Sequence, residues 1–433
     1  MELLELPGIS LDYFLRGLAG EAYQDNAVFQ ELYSWYLQSP EYRILVKKLT
    51  EASFSERPSD KIGKTVAKIL YGEISPYSAT RLERFAACAF AHFLQYGLKV
   101  TERAEYEFRA MDMGNVMHMA LEKFAAEVRK EGLDWAELTE EERNRIIDSC
   151  LDQVSADYGN TILKSSARNE YMIERTRRIL RRTVWALQEQ LKHGAFRPEG
   201  FEVRFQGGRI DRVDIMEEPE NNRVYVKVID YKTGNTSFDL LALYHGLQLQ
   251  LMVYLDGALQ VEKRKYPDRE IVPAGVFYYN VKDPMIQEKI HADMESINEQ
   301  MLKKMKMNGL VQADDNMSTK IDSTMASIPV SLNRDGSFSK RSSVASRKQF
   351  DALGAYVRRK ICDIRESILD GNAAVEPYEL GKKNACTYCP YLTVCGFDRK
   401  IPGYEFHRLS SIEEDALWKK IMKGEEENGS EMD

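Results

Sequence analysis

Asp211, Asp230 and Lys232 are the residues of this sequence best suited to chemistry, in Gly208-Arg-Ile-Asp211-Arg-Val-Asp214 and Val228-Ile-Asp230-Tyr-Lys232. Two carboxylates holding one or two Mg²⁺ or Mn²⁺ ions neutralise an anionic phosphodiester and make water nucleophilic beside it. A neighbouring lysine orients or helps deprotonate that water and stabilises the pentavalent transition state. A second reactive set is made of cysteine. Cys88 stands alone, and Cys386-Thr-Tyr-Cys389-Pro-Tyr-Leu-Thr-Val-Cys395 follows far downstream. Four thiolates suit zinc or an iron–sulfur cluster, and the spacing alone leaves the metal open. The carboxylates lie between Cys88 and the other three, so such a metal clasps the two ends of a domain around its phosphodiesterase site.

The elements that must position these groups follow from periodicity. Residues 201–205, 208–215 and 224–232 have strand character, with a polar turn at 217–222. Alternation places Asp230 and Lys232 on one face and Tyr231 on the other. A hairpin turning within 216–223 brings Asp211 beside Asp230. A helix over 111–130 carries His118, a later one carries Gln250 and Tyr254 four residues apart, and 272–281 reads as another strand. Residues 285–308 and 346–371 read as helices, and 310–345 as polar and irregular. Ser78-Ala-Thr80-Arg-Leu-Glu83 reads as a capping box, with Thr80 accepting from the first amides and Glu83 reaching back. The helical stretch 136–195 contains Arg175, Arg177, Arg178, Arg181 and Arg182. These arginines read either as a solvated face or as a track for backbone phosphates, with Arg175, Arg178 and Arg182 the DNA-binding candidates. Lys382 and Lys383, just before the cysteines, are either DNA contacts or merely solubilising.

The bulk numbers set limits. A chain of 433 residues, 43% hydrophobic and 30% charged, has room for two or three domains. Three are expected: a helical segment at 1–73, a catalytic domain at 74–400, and a helix with an acidic tail at 401–433. No apolar run reaches the roughly 18 residues of a membrane helix. The acidic start Met1-Glu-Leu-Leu-Glu lacks the basic opening of a secretory signal, so a cytoplasmic location is expected. Six cysteines in a chain this long are not a disulfide framework. Cys150 and Cys362 read as plain buried residues. The net charge of −8 argues against a nucleic-acid coat protein but not against an enzyme with local basic patches. Gly63-Lys64-Thr65 resembles the end of a phosphate loop, but Pro58 stands where that loop needs glycine. Any ATP-driven motor must therefore lie elsewhere.

In order, the sequence presents Gly114-x3-His118, Gly208-x-Ile-Asp211-Arg-x-Asp214, Ile229-Asp230-Tyr-Lys232 and Gln250-Leu-x2-Tyr254. This set resembles the RecB-type nuclease branch of the PD-(D/E)XK superfamily. Within it, the resemblance is to the C-terminal nuclease region found in the AddB component of AddAB helicase–nucleases. Ser78–Glu83, Cys88-Ala-Phe90, Tyr96-Gly-Leu98, Phe277-Tyr-Tyr279 and Asp283-Pro284 extend it over roughly residues 74–400. It implies an α/β, restriction-endonuclease-like core: a mixed sheet flanked by helices, with helical insertions and an iron–sulfur clasp. It further implies that His118, Asp211, Asp230 and the Tyr231 backbone carbonyl hold Mg²⁺ or Mn²⁺. Lys232 is then the catalytic lysine, with Gln250 and Tyr254 positioning substrate or lysine. A [4Fe–4S] cluster on Cys88, Cys386, Cys389 and Cys395 is implied as well. So are a DNA substrate (single-stranded ends or unwound duplex), exonuclease action in double-strand-break processing, and the helicase-bearing AddA component of the helicase–nuclease as partner.

Two departures stand out. Ala89 replaces the proline that commonly follows the first cysteine. The helicase-like half of the complete AddB component is missing, which suggests a fragment or a truncated homologue with 1–70 as the remnant of the junction. Two other readings compete: a CRISPR spacer-acquisition nuclease, which is usually shorter, and a catalytically silent iron–sulfur module that binds DNA or scaffolds.

Overall fold

Valines alternating with larger side chains between 224 and 231 demand a strand covered on both faces, and the fold is organised around it. The computed structural model describes residues 7–18, 27–53, 61–72, 78–101, 110–158, 166–286, 293–314, 316–401 and 403–429. The chain divides into two compact units, Met1–Asp60 and Lys61–Asp433. In the first, α1 (Pro7–Leu18), α2 (Ala27–Gln38) and α3 (Arg43–Ser53) are its described helices. Phe14, Tyr36 and Val46 are buried there.

The second unit opens with α4 (Lys64–Tyr71), α5 (Ala79–Ala87) and α6 (Ala89–His92), followed by α7 (Ala110–Lys130), α8 (Glu140–Asp157) and α9 (Ala167–Lys192). A six-stranded sheet follows in sequence order: β1 (Arg197–Phe205), β2 (Gly208–Glu218), β3 (Arg223–Lys232), β4 (Glu270–Asn280), β5 (Asn308–Gln312) and β6 (Val344–Ala345). Strands β1, β2 and β3 form an antiparallel meander, whereas β4 runs parallel to β3. A parallel neighbour needs a long crossover, and α10 (Leu240–Tyr244) with α11 (Gln250–Lys265) supplies it. The β4–β5 pair is antiparallel and β5–β6 parallel, so the sheet is mixed as expected. The remaining helices are α12 (Met294–Lys304), α13 (Met317–Ile321), α14 (Arg347–Leu369), α15 (Leu392–Cys395) and α16 (Glu414–Gly429). A small sheet of β7 (Tyr378–Leu380), β8 (Lys383–Asn384) and β9 (His407–Arg408) frames the loop with the last three cysteines.

Alternation divides the core in two. Tyr225, Ile229 and Tyr231 of β3 face α7, α8 and α9, whereas Val224, Val226 and Val228 face α5, α11, α14 and α16. Among the described residues no helix is long and apolar enough to cross a membrane.

Several expectations shift. The unit holding the sheet begins at Lys61 rather than 74, because Ala67 and Tyr71 of α4 are buried in the same core as Phe85 of α5. Leu417, Trp418 and Ile421 bury α16 in that core too, so 401–433 is not separate from it. Residues 310–345 are not wholly irregular, since the end of β5, α13 and all of β6 fall within them. The helix expected over 285–308 is confined to Met294–Lys304 among the described residues. Cys150 is buried, but Cys362 lies exposed on the solvent face of α14. At α5 the N-cap is Ser78, accepting from Arg81 N at 3.4 Å, not Thr80. Glu83 does not close that box, because its carboxylate is committed elsewhere.

Candidate active site

The β2–β3 register pairs Arg212 with Ile229, which makes Asp211 and Asp230 the next opposed positions. Both point to the face shared by Val213 and Val228. The turn expected between the strands is a short helical turn at Pro219–Asn221, closed by Asn222 with a left-handed φ of 52°. Asp211 Oδ2 accepts from the Tyr231 backbone N–H at 2.7 Å, tying its carboxylate to the strand that carries Asp230. The second aspartate of the glycine-rich motif, Asp214, belongs to the opposite face. It is fully buried between Arg212 (2.6 Å) and Lys227 (3.0 Å), a structural trio away from the acids.

Helix α7 brings His118 to Asp211, with Nδ1 3.3 Å from Oδ2. Burial opposes protonation of the ring, but the hydrogen bond and charge of Asp211 outweigh it and hold the imidazole above its ordinary pKa. Gly114, one turn before His118, permits this approach. A Cβ there would meet Thr233 Oγ1 at 3.3 Å, just past the end of β3.

On the other side of Asp230, Lys232 Nζ lies 2.6 Å from Oδ2. Gln250, first residue of α11, holds both: its carbonyl accepts from Lys232 at 2.8 Å, and its amide nitrogen donates to Asp230 Oδ1 at 3.0 Å. The same amide reaches the Tyr254 hydroxyl at 2.9 Å. His118, Asp211, Asp230, Lys232, Gln250 and Tyr254 therefore form one continuous constellation. The Tyr231 ring lies on the opposite face of β3 from Asp230 and packs edge-on to both His118 and Tyr279, at 6.0 Å between centroids in each case.

Two acids are not evident from residue order. Glu202 on β1 joins His118 and Asp211, with one ligand atom of each within 4.8 Å of the others. Its backbone has φ 49°, a left-handed conformation that a non-glycine residue adopts only when its surroundings require it. The signal lies in the hairpin through Gln206 and Gly207: pairing Phe201 with Arg212 sets Glu202 opposite Asp211. The second is Glu83, whose Oε1 accepts from the backbone N–H groups of Leu249 (2.6 Å) and Gln250 (2.9 Å). A motif that reads as a local cap hides this distant use.

The site is electrostatically primed for a cation. Burial, then the charge of Asp211, raises the Asp230 carboxyl well above the usual range, and the same causes push Glu202 up to about 7. Asp230 Oδ2 and Glu202 Oε2 are buried without a directed hydrogen bond, ion-paired only to Lys232 and Arg209. The His118 imidazole with the Glu202 and Asp211 carboxylates is a donor set that fits a hard divalent ion.

The four cysteines line one apolar cavity with Phe90, Pro377 and Phe397. Burial raises the Cys88 thiol, and burial with the neighbouring sulfurs pushes Cys386 up to about 11. Among the described residues only the His118, Glu202 and Asp211 group draws its ligand atoms within 4.8 Å, so the sulfurs surround the cavity more loosely. Of the expected DNA contacts, Arg175 is exposed on α9, whereas Arg178 (2.8 Å) and Arg182 both engage Asp283. Lys382 is exposed, and Lys383 lies 3.8 Å from Asp239. None of these basic residues is part of the acidic constellation.

Comparison with known proteins agrees with this geometry. Residues 76–396 match the model of the PD-(D/E)XK nuclease superfamily. The B component of the ATP-dependent helicase/deoxyribonuclease of Lachnoclostridium phytofermentans is 39% identical over 96% of this chain and 38% of its own length. Its namesake in Alkaliphilus metalliredigens is 35% identical over 91% of this chain and 36% of its own. The Thermoanaerobacter sp. (strain X514) protein of the same name is 33% identical over 94% and 37%. The chain thus spans well under half the length of these relatives. With two aspartates and a lysine assembled on adjacent strands, and a family match over most of its length, this chain belongs to the PD-(D/E)XK nuclease superfamily.

Proposed function

We propose that this chain hydrolyses DNA phosphodiester bonds with Mg²⁺ or Mn²⁺, as the nuclease region of a helicase–nuclease that processes double-strand ends. The observation that carries the reading is the contact of Lys232 with Asp230, directly opposite Asp211 across the β2–β3 pair, under the common grip of Gln250. His118, Asp211, Asp230 and the Tyr231 carbonyl would hold the metal, with Glu202 on the His118 side. The ion supplies Lewis-acid neutralisation of the phosphate and a more acidic water. Lys232 then orients the attacking water and stabilises charge on the phosphoryl oxygens. Gln250 keeps the ammonium from collapsing onto Asp230 alone, and Tyr254 fixes the Gln250 amide.

Phosphate contacts fall to Arg175, Lys382 and Lys383, with Arg178 and Arg182 keeping a net positive charge after pairing with Asp283. The partner is the helicase-bearing AddA component of the helicase–nuclease, the substrate single-stranded ends or unwound duplex, and the compartment the cytoplasm. For the cysteines we propose a [4Fe–4S] cluster on Cys88, Cys386, Cys389 and Cys395. Four thiols lining one apolar cavity support that reading.

The test is Asp230→Ala on end-labelled DNA with Mg²⁺ or Mn²⁺. Cleavage should fall at least about 1000-fold while DNA binding persists. A wild-type protein that binds DNA without cutting it would instead establish the silent-scaffold reading.

A further inference from the structure

The N-cap of helix α11 is Leu249, whose side chain offers no acceptor to the helix's first amides. Those donors need an acceptor, and the chain supplies one from 166 residues upstream: Glu83 Oε1, at 2.6 Å from Leu249 N and 2.9 Å from Gln250 N. A serine or asparagine at position 249 would accept from the amides two and three residues further on, not from these two. A carboxylate is a costly acceptor in a poorly solvated place. Burial is the main reason that Glu83 is pushed up to about 7, and both Lys232 and Asp230 act on its charge. The amide it grips belongs to Gln250, the residue that bridges Lys232, Asp230 and Tyr254.

We propose that Glu83 is a positioning residue for hydrolysis, holding the first turn of α11 so that the Gln250 side chain presents Lys232 to the scissile phosphate. It rests on the nuclease reading above and names the device that sets the lysine. Helix α5 delivers Glu83 rigidly: its N-terminus is capped by Ser78, its C-cap is Cys88, and Leu82 and Phe85 on either side are buried in the core. The carboxylate is therefore anchored by the core and the cysteine loop rather than by α11 itself. Removing it frees two backbone donors and lets Gln250 drift, and a misplacement of about 1 Å costs on the order of 100-fold in rate.

The experiment compares wild type, Glu83→Ala, Glu83→Gln, Gln250→Ala and the Glu83→Ala/Gln250→Ala double variant on end-labelled single-stranded DNA with Mg²⁺. Expected is a kcat loss of about 100-fold in Glu83→Ala with KM within about twofold. Glu83→Gln, which keeps an acceptor oxygen, should recover to within about threefold, and the double variant should be no worse than Gln250→Ala. Wild-type kcat in Glu83→Ala overturns the proposal, and so do losses that multiply independently in the double variant. If Glu83→Ala fails to fold, Glu83→Asp takes its place. One methylene too short to reach both amides, it should lose kcat and amide-exchange protection at 249–250; wild-type values for both overturn the proposal. A wild-type protein that cuts nothing overturns the nuclease reading and this inference with it, whereas cleavage abolished only by Asp230→Ala isolates the failure to Glu83.

Discussion

At the residue scale the site is a set of acids kept from ionising freely. Glu202 sits near 7 instead of the usual value of about 4.3, because it is buried and faces Asp211. An acid with a raised folded pKa stabilises the fold fully below its unfolded pKa, and that contribution is lost as pH rises through the folded value. The chelated protein should therefore lose melting temperature between about pH 4.3 and 7, and Glu202→Gln should flatten the slope. A divalent ion reverses the logic by favouring the carboxylate, so saturating Mn²⁺ should also flatten the slope. Titration calorimetry should find Mn²⁺ affinity reduced about tenfold in Glu202→Gln. An unchanged affinity would remove Glu202 from the ligand set. Asp211, Asp230 and Lys232 were legible because their spacing matches strand alternation across a hairpin. Glu202 and Glu83 were not, since each acts through a partner set by register or by a helix end far along the chain.

At the element scale the active strand owes its position to close neighbours. β3 lies between β2 and β4, and β4 is in turn braced by β5, where Gly309 meets Val276 and Phe277. A Cβ on Gly309 would fall 1.9 Å from the Val276 carbonyl oxygen, so no side chain fits without parting the strands. Gly309→Ala should destabilise the protein by about 2–3 kcal/mol in urea unfolding. A loss below about 0.5 kcal/mol would mean that β5 slides freely on β4. The meander and the helix bearing Gln250 follow from local pattern. The short strands β5 and β6 do not, because five and two residues are too few to display an alternation.

At the scale of the whole molecule one cavity is lined by cysteines that the chain separates by 298 residues, from Cys88 to Cys386. Closing a loop of that size removes on the order of 5 kcal/mol of unfolded-chain entropy. Anaerobically purified protein should be brown, absorb near 400 nm and contain about four irons per chain, by the four-thiolate ligation of such clusters. Cys88→Ala should lose the colour and lower the melting temperature, even though no cysteine touches the acids. A colourless protein with one zinc would overturn the cluster assignment. Arg178 and Arg182 also act at this scale, since besides offering positive charge along one helix they pair with Asp283 in the loop after β4.

By itself the sequence determined the chemistry: which carboxylates, imidazole and lysine are present, the strand alternation that places Asp230 and Lys232 on one face, and the cysteine set. Those properties are local, fixed by residue type and by a period of two or 3.6. Only the tertiary structure decided that Asp214 faces away, that Glu202 completes the His118 and Asp211 group, and that Glu83 caps α11 instead of its own helix. Each of these depends on strand pairing or helix packing between distant segments, which residue order constrains but does not display.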